Sequence, residues 1–175
     1  MGELPAMWSE CYRSWLHYAR TELEAHDWQS AFANYPFLEL SDAPLRPLYK
    51  DLARARIALV GSAGLVPPGE VPFHDANPEG DTSFRWVTST GPFLSWSIHH
   101  GHYDAAAARQ DYNTVFPLDI LRSLAEAGEI GALAPRQVSF MGYQPDAAAW
   151  LATSVPAIVE GLQDDGVDAV LMVPV

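Results

Sequence analysis

The sequence predicts an α/β domain with a mostly parallel sheet and crossover helices, Rossmann-like or flavodoxin-like, preceded by an N-terminal amphipathic helix. Short apolar runs alternate along the chain with segments of helical periodicity, and the first run ends in a tight glycine turn. The length of 175 residues and the 49% apolar content fit one domain with its own core. We expect three parts: an N-terminal helix (1–33), an extended linker (34–56) and the α/β domain (57–175).

The N-terminal helix is predicted from aromatic and small residues spaced three and four apart. They are Trp8, Cys11, Tyr12, Trp15 and Ala19. This spacing places them on one face of an amphipathic helix. A lone cysteine on an aromatic face is typical of core packing rather than of a nucleophile, so we expect Cys11 to be buried.

A proline-rich segment separates this helix from the α/β domain. Asn34–Pro47 carries three prolines and shows no sustained hydrophobic period. Such a composition indicates an extended linker that lies over the body of the domain.

Short apolar runs are the candidate strands of the domain. The stronger runs are Ile57–Val60, Val138–Met141 and Ala169–Val173, and the weaker ones are Phe84–Thr88 and Leu94–Ile98. The first run leads directly into a Gly-Ser-Ala-Gly segment, a pattern typical of a buried parallel strand that ends in a tight turn.

Helical stretches lie between these runs. Pro117–Ala127 has leucines at helical spacing, a proline in its first turn and Gly128 after its end. Asp146–Gln163 begins after Pro145 and ends near Gly166. Because strands and helices alternate, we expect right-handed crossovers and a mostly parallel sheet.

Charge and composition exclude several classes of protein. Lys and Arg number 10 against 22 Asp and Glu, a formal net charge of -12 with no basic stripe, so no nucleic acid binding is expected. No apolar run approaches the roughly 18 residues that span a bilayer, and the N-terminus lacks signal-peptide features. We therefore expect a cytoplasmic protein with no membrane partner. The single cysteine excludes an internal disulfide and a CxxC redox pair.

The residues that follow the first apolar run are candidates for ligand binding, since open parallel sheets bind ligands beyond the carboxyl ends of their strands. Ser62, Ala63 and Gly64 are small and let backbone N–H groups approach an anion or carboxylate. A tight strand exit that needs glycine explains the same pattern. Asn77, in the stretch Asp75–Asp81, is a further substrate-binding candidate, although turn formation accounts for most such stretches.

A histidine cluster follows the last of the weaker strands. The segment His99–Asp104 holds half of the six histidines of the chain. In one interpretation His100, His102 and Asp104 bind substrate or act as general acid and base, with Tyr103 as a further substrate contact. In a second interpretation the same three side chains bind zinc or iron. In a third, the imidazoles only satisfy the hydrogen bonds of a loop.

A series of ordered motifs runs from about Leu45 to Val175. They are IALVGSAG (57–64), FHDANPEGDTSFR (73–85), HGHYD (100–104), VFPLD (115–119), GEIG (128–131), APR (134–136), SFMG (139–142) and DGVDAVL (165–171). In order and spacing they resemble the selenoprotein B family, the substrate-binding subunits of glycine, sarcosine, betaine and D-proline reductases and their short relatives. The helix before Asn34 lies outside this resemblance.

The resemblance implies a component of a reductase system that cleaves a C–N bond in a small amino acid or amine, together with partner subunits and thiol reductants. In those relatives a selenocysteine-x-x-cysteine motif follows the strand that resembles Ala169–Val175. Its selenolate displaces the amine, assisted by a pyruvoyl group on another subunit. The chain stops where that selenocysteine is expected, so we expect a longer selenoprotein cut at a UGA codon, and no cofactor in the residues present. Asp104–Ala108 departs from the relatives, which carry further polar residues there, and leaves the substrate open.

Two other classes of function stay open. One is a stand-alone metal-dependent enzyme that uses the His99–His102 segment and Asp104. The other is a non-catalytic accessory subunit that docks to its partners through the aromatic N-terminal helix. The sequence leaves the oligomeric state open, and a homo-oligomer is compatible with it.

Overall fold

Two helices form a hairpin near the N-terminus of the structure, a computed structural model that describes residues 6–37, 46–91 and 96–175. They are α1 (Ala6–Glu24) and the short α2 (Trp28–Phe32). The buried residues of the hairpin are Trp8, Tyr12, Trp15, Ala19, Leu23 and Ala31. This buried stripe has helical spacing and confirms the predicted amphipathic helix.

The aromatic face of α1 differs from the sequence-based expectation in two ways. Cys11 is exposed rather than buried, because it lies about 60° around the helix from Trp8, whereas Tyr12 and Trp15 lie within about 40°. The stripe itself is covered: Trp15 packs edge-on against Tyr35, with ring centroids 4.9 Å apart. These aromatic residues are buried within the chain, so they do not form the exposed docking face that the accessory-subunit alternative requires.

The predicted linker is described only in part, and its residues 38–45 lie outside the described ranges. Within the described part, the Tyr35 hydroxyl donates to the Pro145 carbonyl at 2.7 Å, which ties the hairpin to the α/β domain. Leu52–Arg54 forms one turn of 3₁₀ helix just before the sheet begins. The division of the chain into 1–33, 34–56 and 57–175 stays a prediction.

The α/β domain is built on a mixed sheet with β1 (Arg56–Gly61) at its centre. Strand β1 pairs in parallel with β6 (Arg136–Phe140) and β7 (Ala169–Val173), and at its start with β5 (Ala132–Leu133). Strand β3 (Phe84–Thr88) pairs with β6 in the antiparallel direction and forms an edge. The α/β class and the mostly parallel sheet are confirmed.

The weaker candidate strand Leu94–Ile98 is shorter than predicted and does not join this sheet. Residues 92–95 lie outside the described ranges, and the strand that is described, β4 (Ser97–Ile98), pairs antiparallel with β2 (Leu65–Val66). This small ribbon brings the histidine segment beside the carboxyl end of β1.

Both faces of β1 are buried because helices cover them. Leu59 faces the cluster that contains Phe116 and helix α4 (Leu118–Glu126), whereas Val60 faces helix α5 (Ala147–Asp164). The alternation follows from the pleat of a strand. Both predicted helices of the domain are confirmed. None of the helices in the described ranges is long and apolar enough to span a membrane.

Candidate functional site

The carboxyl end of β1 runs into the glycine turn, residues 62–64. The Ser62 N–H donates to the Val173 carbonyl at 3.1 Å, and the Gly64 N–H donates to the Phe140 carbonyl at 2.9 Å. The turn therefore joins the ends of β7 and β6 to that of β1. These two N–H groups already have carbonyl partners, and the binding of a substrate anion by Ser62, Ala63 and Gly64 stays a prediction.

The histidine loop, residues 99–103, packs directly on the glycine turn. The His99 N–H donates to the Gly64 carbonyl at 2.9 Å, and the Tyr103 hydroxyl donates to the Ala63 carbonyl at 3.1 Å. Gly64 has a φ of 67°, and a Cβ added there would lie 2.2 Å from the His99 carbonyl oxygen. Only glycine permits this approach. The two segments that the sequence singles out are thus in contact.

His100 is held as a neutral imidazole. Its Nδ1 accepts the N–H of His102 at 3.2 Å, so the proton of the neutral ring lies on Nε2. Burial and then the nearby His102 ring lower the pKa of His100 to about 4, against the opposite effect of Asp75. The buried Nε2 has no hydrogen-bond partner within the described residues, which leaves one N–H donor of the histidine loop unused.

His102 lies among aromatic residues. Its ring stacks on Tyr143 with centroids 3.9 Å apart, and it meets Trp28 of α2 edge-on at 4.3 Å. Burial, followed by the nearby His26, lowers the pKa of His102 and favours the neutral ring. Because Trp28 belongs to the N-terminal hairpin, His102 marks a contact between the hairpin and the α/β domain.

Asp104 does not join the two histidines. Its Oδ1 accepts the Ala106 N–H at 2.9 Å in an exposed turn that leads into helix α3 (Ala106–Gln110). Across the described ranges no three His, Cys, Asp or Glu side chains are grouped closely enough to hold a metal ion. His100, His102 and Asp104 are therefore not grouped as the zinc or iron interpretation requires, because the carboxylate of Asp104 serves the turn, and that interpretation stays a prediction.

An open pocket of about 530 Å³ lies between the hairpin and the α/β domain. The hairpin lines it with Leu23, Glu24, His26 and Trp28, and the domain lines it with Asp75, Ala76, Asn77, Pro78, Gly101 and His102. Two of these residues, Glu24 and Asp75, are carboxylates, and none of the described lining residues is Lys or Arg. The local charge therefore favours a cation over an anion.

Two residues predicted from the sequence, Asn77 and His102, line this pocket. Asn77 also holds its own turn, because its Oδ1 accepts the Glu79 N–H at 3.1 Å and its Nδ2 donates to the Gly80 carbonyl at 2.7 Å. The hairpin side of the pocket is not found from sequence, since no spacing shows that the hairpin folds back onto these loops. The one local signal is the turn at His26, which adopts a φ of 57°.

Known proteins similar to this chain are subunits of reductase complexes. The chain is 36% identical over 126 residues to the D-proline reductase subunit gamma of Acetoanaerobium sticklandii, which covers 72% of this chain and 51% of the relative. It is 34% identical over 140 residues to the glycine reductase complex component B subunit gamma of Carboxydothermus hydrogenoformans, covering 78% and 32%. The chain thus spans about half and about a third of the length of these relatives. No solved structure matches the chain.

The model of the family described as glycine/sarcosine/betaine reductase selenoprotein B matches residues 22–175. The chain belongs to this family, and the resemblance carried by the sequence motifs is confirmed. The match begins earlier than the motifs do, near the end of α1. Glu24, His26 and Trp28 therefore lie within the matched region, contrary to the expectation that everything before Asn34 lies outside it.

Proposed function

We propose that the chain is the substrate-binding component of a reductase system that cleaves a C–N bond in a small amino acid or related amine. The family match over residues 22–175 carries this proposal. The relatives are named as subunits of D-proline and glycine reductases. The pocket supports the proposal, because its two carboxylates suit the ammonium group that such substrates share.

The proposed net reaction is a two-electron reduction. The C–N bond breaks, the carbon gains a hydrogen and the amine leaves as N–H. A dithiol supplies two electrons and two protons and becomes a disulfide, so that C–N and two R–SH give C–H, N–H and RS–SR. Cys11 is exposed on α1 and is not a lining residue of the pocket. The proposal therefore assigns the attacking selenolate to a residue outside the described chain.

In this proposal the pocket residues bind the amine. Asp75 pairs with the ammonium group, and the neutral ring of His102 forms one wall. His100 is not a lining residue and its unused Nε2–H is buried, so a direct role of His100 in catalysis stays a prediction. Tyr103 is already bonded to the glycine turn and Asp104 to the N–H of Ala106, so we assign both to the positioning of the histidine loop.

We further propose that the chain acts in the cytoplasm with other subunits of a reductase complex and a thiol reductant. The pyruvoyl group implied by the resemblance belongs to another subunit, and no described residue is assigned to hold it. A selenocysteine codon after Val175 stays a prediction that the transcript sequence tests. An in-frame UGA with a cysteine codon three positions later supports it, and UAA or UAG contradicts it.

Calorimetric titration of the chain with glycine, sarcosine, betaine and D-proline tests the proposed binding role. We expect saturable binding of at least one of them, about fivefold weaker in Asp75→Asn because a partly exposed ion pair contributes up to about 1 kcal/mol. Asp51→Asn is the matched control: it removes the same charge before β1, where the side chain makes no capping hydrogen bond. A folded chain that binds none of the four compounds at millimolar concentration contradicts the proposal.

A further inference from the structure

We propose that the turn between the two N-terminal helices, residues 24–28, is a specificity-determining wall of the pocket, and that it selects a cationic amine with an alkylated nitrogen. This inference rests on the proposed function, because it refines which amine the pocket accepts. It assigns the turn a binding role beyond the packing of the hairpin.

The turn is fixed over the pocket by contacts on the domain side. The Trp28 ring meets His102 at 4.3 Å and Tyr143 at 6.0 Å between centroids, both edge-on. The Tyr35 hydroxyl bonds to the Pro145 carbonyl at 2.7 Å and anchors the segment that follows α2. These contacts hold the hairpin in one position on the α/β domain, and its turn closes one side of the pocket of about 530 Å³.

The turn presents a carboxylate and two aromatic rings to the pocket. Glu24 supplies the charge, and His26 stacks on Trp28 with centroids 5.3 Å apart and planes 16° from parallel. His26 has a left-handed backbone, with a φ of 57°, where the chain turns between the helices. Asp75 faces the turn from the domain side as the second carboxylate.

Aromatic rings beside carboxylates are the chemistry that recognises alkylated ammonium groups. The ring faces attract the positive charge spread over the N-alkyl groups, and the carboxylates balance it. His102 completes the wall without opposing it, because its lowered pKa keeps the ring neutral at neutral pH. A primary ammonium, which needs hydrogen-bond acceptors more than ring faces, gains less from this wall than an alkylated one.

A series of ligands that differ only in N-methylation tests this inference: glycine, sarcosine, dimethylglycine and betaine, titrated into the chain by calorimetry. We expect affinity to rise with each methyl group. Glu24→Gln is expected to weaken every member about fivefold. Trp28→Leu is expected to weaken betaine about five- to tenfold and glycine little, and Trp28→Phe, which keeps a ring, to restore most of the methyl dependence.

Glu10→Gln is the matched control for Glu24→Gln. It removes the same charge from an exposed position on α1, about 21 Å along the helix from Glu24, and should leave binding unchanged. If the wild type binds amines but the variants at Glu24 and Trp28 bind the series equally well, the turn is not a wall and the inference is wrong, while the proposed function stands. Affinity that does not change along the series overturns the selection of alkylated nitrogen. A wild-type chain that binds D-proline but none of the series overturns this inference alone, and one that binds neither D-proline nor any member of the series overturns the proposed function itself.

Discussion

Replacing Gly64 with alanine is expected to destabilise the chain and to displace the histidine loop. The added Cβ would lie 2.2 Å from the His99 carbonyl oxygen and 3.2 Å from the Cβ of His100. A backbone oxygen cannot swing aside as the end of a flexible side chain can. The contact between the glycine turn and the histidine loop must therefore open, and with it the hydrogen bond from the His99 N–H to the Gly64 carbonyl.

The size of the effect follows from three contributions to the free energy of unfolding. The left-handed conformation costs a residue with a Cβ about 1–2 kcal/mol. The forced displacement of packed backbone costs about 1–3 kcal/mol, and the lost hydrogen bond about 1 kcal/mol. We expect Gly64→Ala to lower the free energy of unfolding by about 3–6 kcal/mol, a large fraction of the stability of an ordinary domain.

Urea unfolding followed by circular dichroism measures this loss against two matched controls. Gly69 and Gly128 have φ values of 86° and 75°, and an added Cβ at either meets no described atom within 4 Å. Alanine at these positions should therefore cost only the conformational contribution of about 1–2 kcal/mol. We expect Gly64→Ala to exceed both controls by about 2 kcal/mol or more. Equal losses in all three variants would refute the reasoning, because they would show that the loop contact adapts without strain.

Three further predictions concern the core, the histidine loop and α1. Gln137 is fully buried, and its Oε1 accepts the Leu59 N–H. Gln137→Met leaves this N–H of Leu59 unpaired and should lower the free energy of unfolding by about 2 kcal/mol. An unchanged midpoint of urea unfolding contradicts this. Because the folded pKa of His100 is lowered from 6.5 to about 4, the unfolded chain binds this proton more tightly. The free energy of unfolding should therefore fall as the pH drops from about 6.5 towards about 4. His100→Gln should remove this part of the pH dependence. An NMR titration that gives a His100 ring pKa near 6.5 would contradict the prediction. Cys11 is exposed and should react with a thiol reagent in the folded chain as fast as in urea, whereas a protected thiol would place it in the core.

The strands of the main sheet can be predicted from sequence because buried strands appear as short apolar runs. Strand β1 is covered on both faces, so it reads as a continuous apolar run. Strand β4 leaves no such trace, since it is two residues long and is defined by its pairing with β2. The error at Cys11 has a helical cause: a step of three residues from Trp8 reaches the flank of the buried stripe and not its centre.

The candidate site can be predicted only where it depends on the ends of strands. The rule that ligands bind at carboxyl ends singles out both the glycine turn and the histidine loop, and the structure brings them into contact. The same rule does not predict the role of Asp104, whose carboxylate accepts a hydrogen bond within a local turn. Nor does the rule predict that Glu24 and Trp28 line the pocket. The position of the hairpin depends on tertiary contacts with His102 and Pro145, which hydrophobic periodicity does not reveal.

The most direct test of the central claim, that the chain binds an amine between the hairpin and the histidine loop, is a titration of ¹⁵N-labelled chain with sarcosine and betaine, followed by ¹H–¹⁵N spectra. We predict saturable shifts at the backbone amides of residues 24–28, 75–77 and 101–102 and at the Trp28 indole N–H. The Trp8 indole, which donates to the Pro36 carbonyl at 2.7 Å and does not line the pocket, should stay unchanged. Spectra that do not change, or shifts confined to residues outside the pocket, would contradict the claim.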